Sequence, residues 1–334
     1  SKQMRVSCLG YKTQIIKLNT DKTQIVNIKL KKETKELSEV IVKPPKSKYK
    51  NKDNPAVLLI EKVIENRTKN FANDFSFFQF EKYEKTQFAL SNISENFKKK
   101  KSLRKFNFIF DNIDTTKLAG KEVLPVFLKE TISDFFYRNK PESSKEIIKA
   151  TKMVSFEGYI DNNGMNQYLK YLYQDIDISK SNIMFLTNSF VSPIASEATT
   201  LYKYFIIDTT FINSEKCVRL FFSPRNKTDL LLQGDLYIML DGSYAIKKFE
   251  ISVNKEINLN WAREVKIIQQ FEKQNQTDKW LKVYDEISID FGIAKNNMGI
   301  FGQRALSMRN YNIKDTISDS VFIGQKIITE KMQI

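Results

Sequence analysis

The chain has 334 residues, enough for about two domains and a sizeable buried core. Its net charge is +15, but residues 1–54 alone hold 14 basic and 5 acidic side chains, a net of +9. The positive charge is therefore concentrated at the front of the chain, and Lys outnumbers Arg, so a nucleic-acid-binding role is disfavoured. The sequence contains no histidine, which excludes Ser-His-Asp and Cys-His catalysis and His-ligated zinc.

Cofactor and metal signatures are missing from the sequence as well. The two cysteines, Cys8 and Cys217, lie in strand-like runs and lack the spacing of a metal site. No Gly-rich phosphate loop or dinucleotide motif occurs. We therefore expect no cofactor and no metal. No apolar run approaches the roughly 18 residues that a membrane-spanning helix needs.

The first 43 residues contain short runs that predict strands: MRVSCLGY, KTQIIKL, TQIVNIKL and LSEVIV. Residues 44–54 are rich in Pro and Lys and predict a stiff, solvated linker. SCLGYKTQIIKL followed by ELSEVIV resembles the C-terminal part of the carboxypeptidase-regulatory-like domain, a transthyretin-type β-sandwich. The resemblance implies an accessory partial sandwich over residues 1–43, without a peptidase site.

Two amphipathic helices are predicted in the rest of the chain. Asn54 is suited to cap a helix near 55–68, with Pro55 at its first position. Its apolar stripe consists of Ala56, Leu59, Ile60, Val63 and Ile64. A second helix is predicted near 163–175, with Met165, Tyr168, Leu169, Leu172 and Tyr173 on one face. Both patterns are typical of helices that dock on a sheet.

From Thr199 onward, strand-like runs and turns alternate, which predicts an antiparallel meander of about six strands. Asp241-Gly242 is a strong signal for a hairpin with a two-residue turn. That turn would set Gly234 opposite Phe249 on a buried face and Asp235 opposite Lys248 on the wet face. The predicted fold class is β-rich α+β: after the partial sandwich, a curved, half-barrel-like antiparallel sheet packs with a few helices over residues 55–311. Residues 312–334 form a tail.

Two surface features are candidate binding sites. The aromatic-rich run from Phe75 through Phe88 is either ordinary β-core or the lining of an apolar ligand groove. The groove interpretation assigns it four lining residues: Phe78, Phe80, Leu236 and Phe249. A basic cluster either contacts phosphates or lipid headgroups, or is a solvated face. Its members are Lys98, Lys99, Lys100, Lys101, Arg104 and Lys105.

The densest group of carboxylates is the run Asp285–Asp290. On a strand, Glu286 and Asp290 share a face but stand ~13 Å apart. A glycosidase pair needs roughly 5–10 Å. We therefore interpret these carboxylates as the wet face of an amphipathic strand and assign no catalytic residue. A partner carboxylate from another strand stays an alternative.

Several segments together resemble a Bacteroidetes outer-membrane family of undefined function. They are NPAVLLIEKVIENR, VLPVFLKET, KEIIKA, FFSPRNKTDLLLQGDLYI, KKFEISVNKEINLNW and SIDFGIAKNNMGIFGQR. Members of that family have the regulatory-like sandwich, a β-rich middle region and a C-terminal outer-membrane β-barrel. The resemblance implies that this chain is a fragment that begins within the sandwich and stops before the barrel, facing the periplasm at the outer membrane.

Three functional hypotheses follow. The first is a non-enzymatic, periplasm-facing region with a structural, docking or partner-binding role, whose partner is a protein or another envelope component. The second is lipid or lipoprotein binding in a half-open barrel, by analogy of fold. The third is a carboxylate-based hydrolase that acts on envelope polymers.

Overall fold

The computed structural model describes residues 3–6, 14–18, 26–30, 49–71, 75–99, 109–155, 168–254, 257, 259, 261–274, 277–292, 298–314 and 317–329. The chain divides into two compact units, residues 1–48 and 49–334. In the first unit, β1 (Gln3–Val6) and β2 (Gln14–Lys17) form an antiparallel pair. Residues 26–30, from the third predicted strand, carry no regular secondary structure. The remainder of the predicted partial sandwich lies outside the described residues.

The second unit is β-rich and is built on a large curved antiparallel sheet that does not close on itself. Its strands are β3 (Phe77–Ser91), β4 (Asp114–Leu118), β5 (Lys121–Arg138), β6 (Ser143–Ser155), β9 (Tyr202–Ile212), β10 (Glu215–Pro224), β11 (Leu232–Met239), β12 (Ile246–Val253), β13 (Ala262–Lys273), β14 (Trp280–Gly292), β15 (Gly299–Lys314) and β16 (Ile327–Thr329). A separate hairpin pairs β7 (Asn182–Phe185) with β8 (Asn188–Val191). The helices are α1 (Pro55–Phe71), α2 (Glu95–Lys98) and α3 (Ala198–Leu201).

The strand order explains how distant parts of the sequence meet. Across the sheet the order is β16-β6-β5-β3-β15-β14-β13-β12-β11-β10-β9, with β4 paired to β5 off this path. Strands β9 to β15 follow chain order, so the predicted meander is present and contains seven strands among the described residues. Beyond β15 the order changes, because β3 pairs with both β15 and β5. Glu84 therefore lies directly opposite Leu306 on one side and Thr131 on the other.

Helix α1 begins where the sequence predicts. The Oδ1 atom of Asn54 accepts the backbone N–H of Ala56 at 3.0 Å, which caps the first turn before any intrahelical partner is available. Val57, Ile60 and Val63 are buried by the packing of this helix on the sheet. Of the second predicted helix, residues 168–172 are helical, and its predicted start lies outside the described residues.

The β11–β12 hairpin is present, but its register differs from the prediction by two residues. Leu236 lies opposite Phe249, and Gly234 lies opposite Ile251 rather than Phe249. The predicted two-residue turn is wrong because the loop is longer: the N–H of Met239 donates to Ala245 O, and Asp241 Oδ1 accepts the N–H of Ser243 at 2.9 Å. From Leu232 to Tyr237 the shift is two residues, which preserves the face of each side chain; the register is irregular between Tyr237 and Ile238.

One face of the sheet packs beneath α1 and residues 168–201; we call it the covered face. On β11 to β14 most of its side chains are apolar and deeply buried, among them Leu236, Phe249, Ile267 and Ile287. Complete burial of such a side chain contributes about 1.5–3 kcal/mol. This part of the covered face is a filled core.

We call the opposite face of the sheet the outer face. The prediction that the carboxylates of Asp285–Asp290 form a solvent-exposed strand face is wrong for Asp290, which lies on this outer face. Asp290 is fully buried, because the β4–β5 turn folds over it. Lys121 Nζ donates to Asp290 Oδ2 at 2.8 Å, and Ser91 Oγ donates to Asp290 Oδ1 at 2.5 Å. The paired lysine compensates for the desolvation of the carboxylate.

The last described residues return to the sheet. Strand β16 pairs in parallel with β6, and the N–H of Glu146 donates to Lys326 O at 2.7 Å. Lys145 Nζ donates to Ile323 O at 2.7 Å. Residues 317–329, which fall in the predicted tail, therefore cover the β6 edge.

Candidate functional site

The covered face of β3 carries charged side chains between aromatic ones. Phe80, Lys82, Glu84 and Phe88 share this face, since they alternate along the strand and Phe88 lies opposite Gly302 of β15. The same face of the neighbouring strands continues the pattern, with Ser133 directly opposite Lys82 on β5. Charged groups held between apolar regions cost free energy unless each one has a partner.

Five rings form a cluster at one end of this face, which we call the aromatic patch. Its members are Phe78, Phe80, Phe135, Tyr137 and Tyr311. The ring centroids of Phe78 and Tyr137 are 4.8 Å apart. Phe80 lies 5.0 Å from Phe135 and 4.9 Å from Tyr311. All five side chains are only partly buried, so the patch presents apolar surface on a face that is filled on β11 to β14.

Next to the aromatic patch lies an ion network made of Lys82, Glu84, Glu146, Arg304 and Tyr173. Lys82 Nζ lies 2.6 Å from Glu146 Oε1 and 3.6 Å from Glu84 Oε2. Arg304 Nη2 donates to Glu84 Oε2 at 3.0 Å. Tyr173 donates its hydroxyl to Glu84, and its ring centroid lies 4.2 Å from Arg304 Cζ. These contacts join β3, β6, β15 and the segment that follows the 168–172 helical turn.

Burial and charge act in opposite directions on the pKa of Glu84. Burial alone would raise this pKa, but the adjacent Arg304 charge, the Tyr173 hydrogen bond and Lys82 outweigh it, so the pKa lies below the ordinary value of 4.5. For Tyr173, burial and the neighbouring Glu84 raise the pKa to about 12. Near neutral pH, therefore, Glu84 is an anion and Tyr173 is a neutral hydrogen-bond donor.

The aromatic patch and the ion network are adjacent along the strands. Phe80 and Lys82 are two residues apart on one face of β3, a separation of ~6.8 Å. On β5, Phe135 and Ser133 stand in the same relation, and Ser133 Oγ donates to Glu146 Oε1 at 2.7 Å. The surface is thus apolar at one end and ionic at the other, the arrangement that an amphiphilic ligand requires.

The structure separates the four residues predicted to line a groove. Leu236 and Phe249 are completely buried in the filled core of β11 and β12. Phe78 and Phe80 lie on β3, and β15, β14 and β13 stand between β3 and β12. The four residues therefore do not share one lining. Sequence reasoning missed Phe135, Tyr137 and Tyr311. Phe135 and Tyr137 could have been found from their alternation along β5. Tyr311 could not, because the register of β15 shifts between Arg309 and Asn312.

The hydrolase hypothesis required two carboxylates that converge from different strands. Glu84 of β3 and Glu146 of β6 do converge, on Lys82 Nζ. Both are held in ion pairs, and the lowered pKa of Glu84 makes it a poor proton donor near neutral pH. The pair is better explained as charge compensation than as a general acid and base.

The remaining predicted features take little part in this site. Lys98 pairs with Glu95 at 2.7 Å and with Glu122 at 2.8 Å; Lys100, Lys101, Arg104 and Lys105 lie outside the described residues. Within the described ranges there is no cluster of three acidic or cysteine ligands suited to a metal. Cys217 is buried, whereas Cys8 is outside the described residues. None of the described helices has the length and apolar character needed to cross a bilayer.

The fold and site define a class: a β-rich domain with an open antiparallel sheet, whose covered face ends in an aromatic patch beside a buried ion network. The chain belongs to a family described as "Family of unknown function (DUF5686)", which matches residues 59–311. That match begins within α1, ends within β15 and includes the whole candidate site. No curated protein matches the sequence.

Several solved structures are similar to this chain at low sequence identity. A DUF1329 family protein from Desulfovibrio piger is 10% identical, with 80% of this chain and 97% of that chain covered and a TM-score of 0.27. A putative outer membrane lipoprotein-sorting protein domain from Vibrio parahaemolyticus is 8% identical, with 79% of this chain and 95% of that chain covered and a TM-score of 0.28. A LolA superfamily protein from Nitrosomonas europaea is 11% identical, with 80% of this chain and 97% of that chain covered and a TM-score of 0.25.

Proposed function

We propose that the second unit binds a lipid, or the acyl chain of a lipoprotein, on the aromatic patch. The observation that carries this proposal is the partial exposure of five clustered rings on the covered face, which on β11 to β14 is filled with buried side chains. Small-molecule sites are usually lined by aromatic and apolar side chains whose surface is accessible to the ligand. The ion network beside the patch supplies a polar end for the ligand.

The partial filling of the covered face sets the size of the ligand. Leu236, Phe249 and their neighbours occupy β11 to β14, so the ligand is confined to the side of the sheet where the patch lies, on β3, β5 and β15. The patch extends from Phe78 to Phe80 along β3 and across three adjacent strands, about 10 Å of sheet width at ~4.8 Å per strand. One or two acyl chains suit this area better than a large apolar protein surface.

Displacement of a fluorescent fatty acid tests the proposal. The variant Phe80→Ala removes the ring that contacts both Phe135 and Tyr311, and we expect it to weaken binding by about tenfold. Phe211→Ala is the matched control, because Phe211 is 66% exposed on β9, at the far edge of the sheet. Equal binding by both variants and the wild type, or no binding by any of them, would refute the proposal.

A second candidate role is docking to a protein partner in the cell envelope. It is favoured by the free edge of the sheet: among the described residues, β9 pairs with β10 alone and exposes Ile206 and Phe211. Tyr49 Oη accepts the N–H of Tyr204 at 3.0 Å, so the part of this edge beyond Tyr204 is the template for an added strand. Recovery of the same envelope protein with the wild type but not with Phe211→Asp would support this role; equal recovery would oppose it.

The proposed location is the periplasmic side of the outer membrane. It rests on the resemblance of the sequence segments described above to the Bacteroidetes outer-membrane family with a regulatory-like sandwich and a C-terminal barrel. The same resemblance supports the proposal that residues 1–43 belong to such a sandwich. Fractionation of the native cells tests the location: recovery in the periplasm or outer membrane supports it, and recovery in the cytoplasm contradicts it.

A further inference from the structure

We propose that the ion network selects a zwitterionic head group that combines a phosphate with an ammonium group, as in phosphoethanolamine. This inference rests on the proposed function, since the head group reaches the network when the acyl chain lies on the aromatic patch. Phe80 and Lys82, neighbours on the covered face of β3, mark the boundary between the two parts of the ligand.

The first argument is charge balance. The network contains two cations, Lys82 and Arg304, and two carboxylates, Glu84 and Glu146. Their side chains are between 11% and 14% exposed, so a net charge added among them is poorly screened by solvent. A neutral zwitterion can exchange partners with the four groups without adding net charge. An anionic head group would leave carboxylates without compensating cations.

The second argument is unused hydrogen-bonding capacity. Arg304 Nε is buried and has no hydrogen-bond partner among the described residues. An unmet donor on a guanidinium is suited to a phosphate oxygen, which accepts charge-assisted bonds from Arg in a forked geometry. Glu84 already accepts from Arg304 and Tyr173, one on each carboxylate oxygen. The contacts of Glu146 in the described part of the chain, from Lys82 and Ser133, are both to Oε1, so Glu146 Oε2 is the carboxylate oxygen with more capacity to accept an ammonium group.

The third argument is access. Tyr173 is 46% exposed, although its hydroxyl donates to Glu84 and its ring lies over Arg304. It is the member of the network that faces solvent most, and it is held to the sheet by a few polar contacts. Rotation of this single side chain would open Glu84 and Arg304 to a ligand that enters from the aromatic patch.

Calorimetry with short-chain lipids below their micelle concentration tests the inference. We expect the wild-type protein to bind dihexanoyl-phosphatidylethanolamine about tenfold more tightly than dihexanoyl-phosphatidylglycerol. Arg304→Gln should bind the two lipids equally. The control is Arg219→Gln, which disrupts the ion pair between Arg219 and Asp235 on the outer face. These two side chains are 21% and 15% exposed, and the variant should keep the preference for phosphatidylethanolamine. If Arg304→Gln does not fold, Arg304→Lys replaces it, since it keeps the charge but lacks the Nε–H donor.

The outcomes separate this inference from the proposed function. Equal binding of the two lipids by the wild type, or tighter binding of phosphatidylglycerol, overturns the head-group assignment and leaves acyl binding intact. Absence of binding to both lipids overturns the proposed function. Glycerophosphoethanolamine, which has no acyl chains, should bind far more weakly than the lipid; binding of equal strength would show that the free head group is the ligand and would overturn the lipid assignment.

Discussion

The ring centroid of Tyr173 lies 4.2 Å from Arg304 Cζ, while the hydroxyl of the same tyrosine donates to Glu84. One side chain thus joins the segment after the 168–172 helical turn to both β15 and β3. Since Arg304 and Glu84 also bind each other, at 3.0 Å, the three groups form a closed set of contacts. This set holds the ionic end of the candidate site together, beside the aromatic patch.

We expect Glu84→Gln to destabilise the protein by about 3 kcal/mol at neutral pH. The substitution removes the carboxylate that both Arg304 and Lys82 contact, and leaves two buried cations with less compensation. Urea denaturation measures the change. Glu65→Gln is the control. Among the described residues the ion-pair partner of Glu65 is Lys62, and the two side chains are 60% and 51% exposed, so loss of this pair should change stability little. Equal midpoints for the two variants would show that the network is not stabilising.

The loss of stability caused by Glu84→Gln should depend on pH. The pKa of Glu84 is lower in the folded protein than its ordinary value of 4.5, so the anion stabilises the fold above about that pH. This contribution is lost as the pH falls through the folded-state pKa. The stability difference between wild type and Glu84→Gln should therefore shrink below pH 4.5. A difference that grows with acidification would contradict the assigned charge state.

Gly234→Ala should be far more damaging than Gly242→Ala, although both glycines lie in the β11–β12 hairpin region. Gly234 has φ 152°, and a Cβ atom there would overlap the backbone O of Glu250 on the paired strand. Gly242 has φ 85° with open space around it. We expect the free energy of unfolding to fall by about 3 kcal/mol in Gly234→Ala and by about 1 kcal/mol in Gly242→Ala. Similar thermal midpoints would mean that the two strands are not paired in this register.

These two glycines also show what the sequence can predict. The alternation around Asp241-Gly242 gave the hairpin and the buried face of Phe249, because both depend on local periodicity. The register was not predicted, since it depends on loop length, and the side chain of Asp241 supports a longer loop than the dipeptide suggests. The buried face of Phe249 was nevertheless predicted correctly, because the observed register differs from the predicted one by two residues and side chains alternate with a period of two.

The ion network could not be predicted from the sequence for a different reason. Glu84, Glu146 and Arg304 meet only because β3 lies between β5 and β15, and Arg304 of β15 is 220 residues from Glu84 in the chain. A single sequence gives no pairing information at such separations. The local sequence did contain an indication, however. Lys82 and Glu84 share the parity of Phe80 and Phe88, which places charged side chains between aromatic ones on one strand face.

We expect Cys217 to be unreactive in the folded protein. Burial raises the pKa of its thiol to about 11, so little thiolate exists near neutral pH, and Met239 Sδ lies 3.6 Å from its Sγ. In a Cys8→Ser background, alkylation by iodoacetamide at pH 8 should be at least about 100-fold slower than for the unfolded chain. Reaction at the rate of the unfolded chain would show that β10 is not packed as described.

Covalent mapping of a bound acyl chain tests the central proposal most directly. A fatty acid with a mid-chain diazirine is irradiated with the protein, and the labelled residues are located by mass spectrometry. The proposal predicts that labels concentrate on Phe78, Phe80, Phe135, Tyr137 and Tyr311 and are competed away by unlabelled lipid. Labels that instead follow solvent exposure, with Phe211 and Leu240 ahead of the aromatic patch, would contradict it.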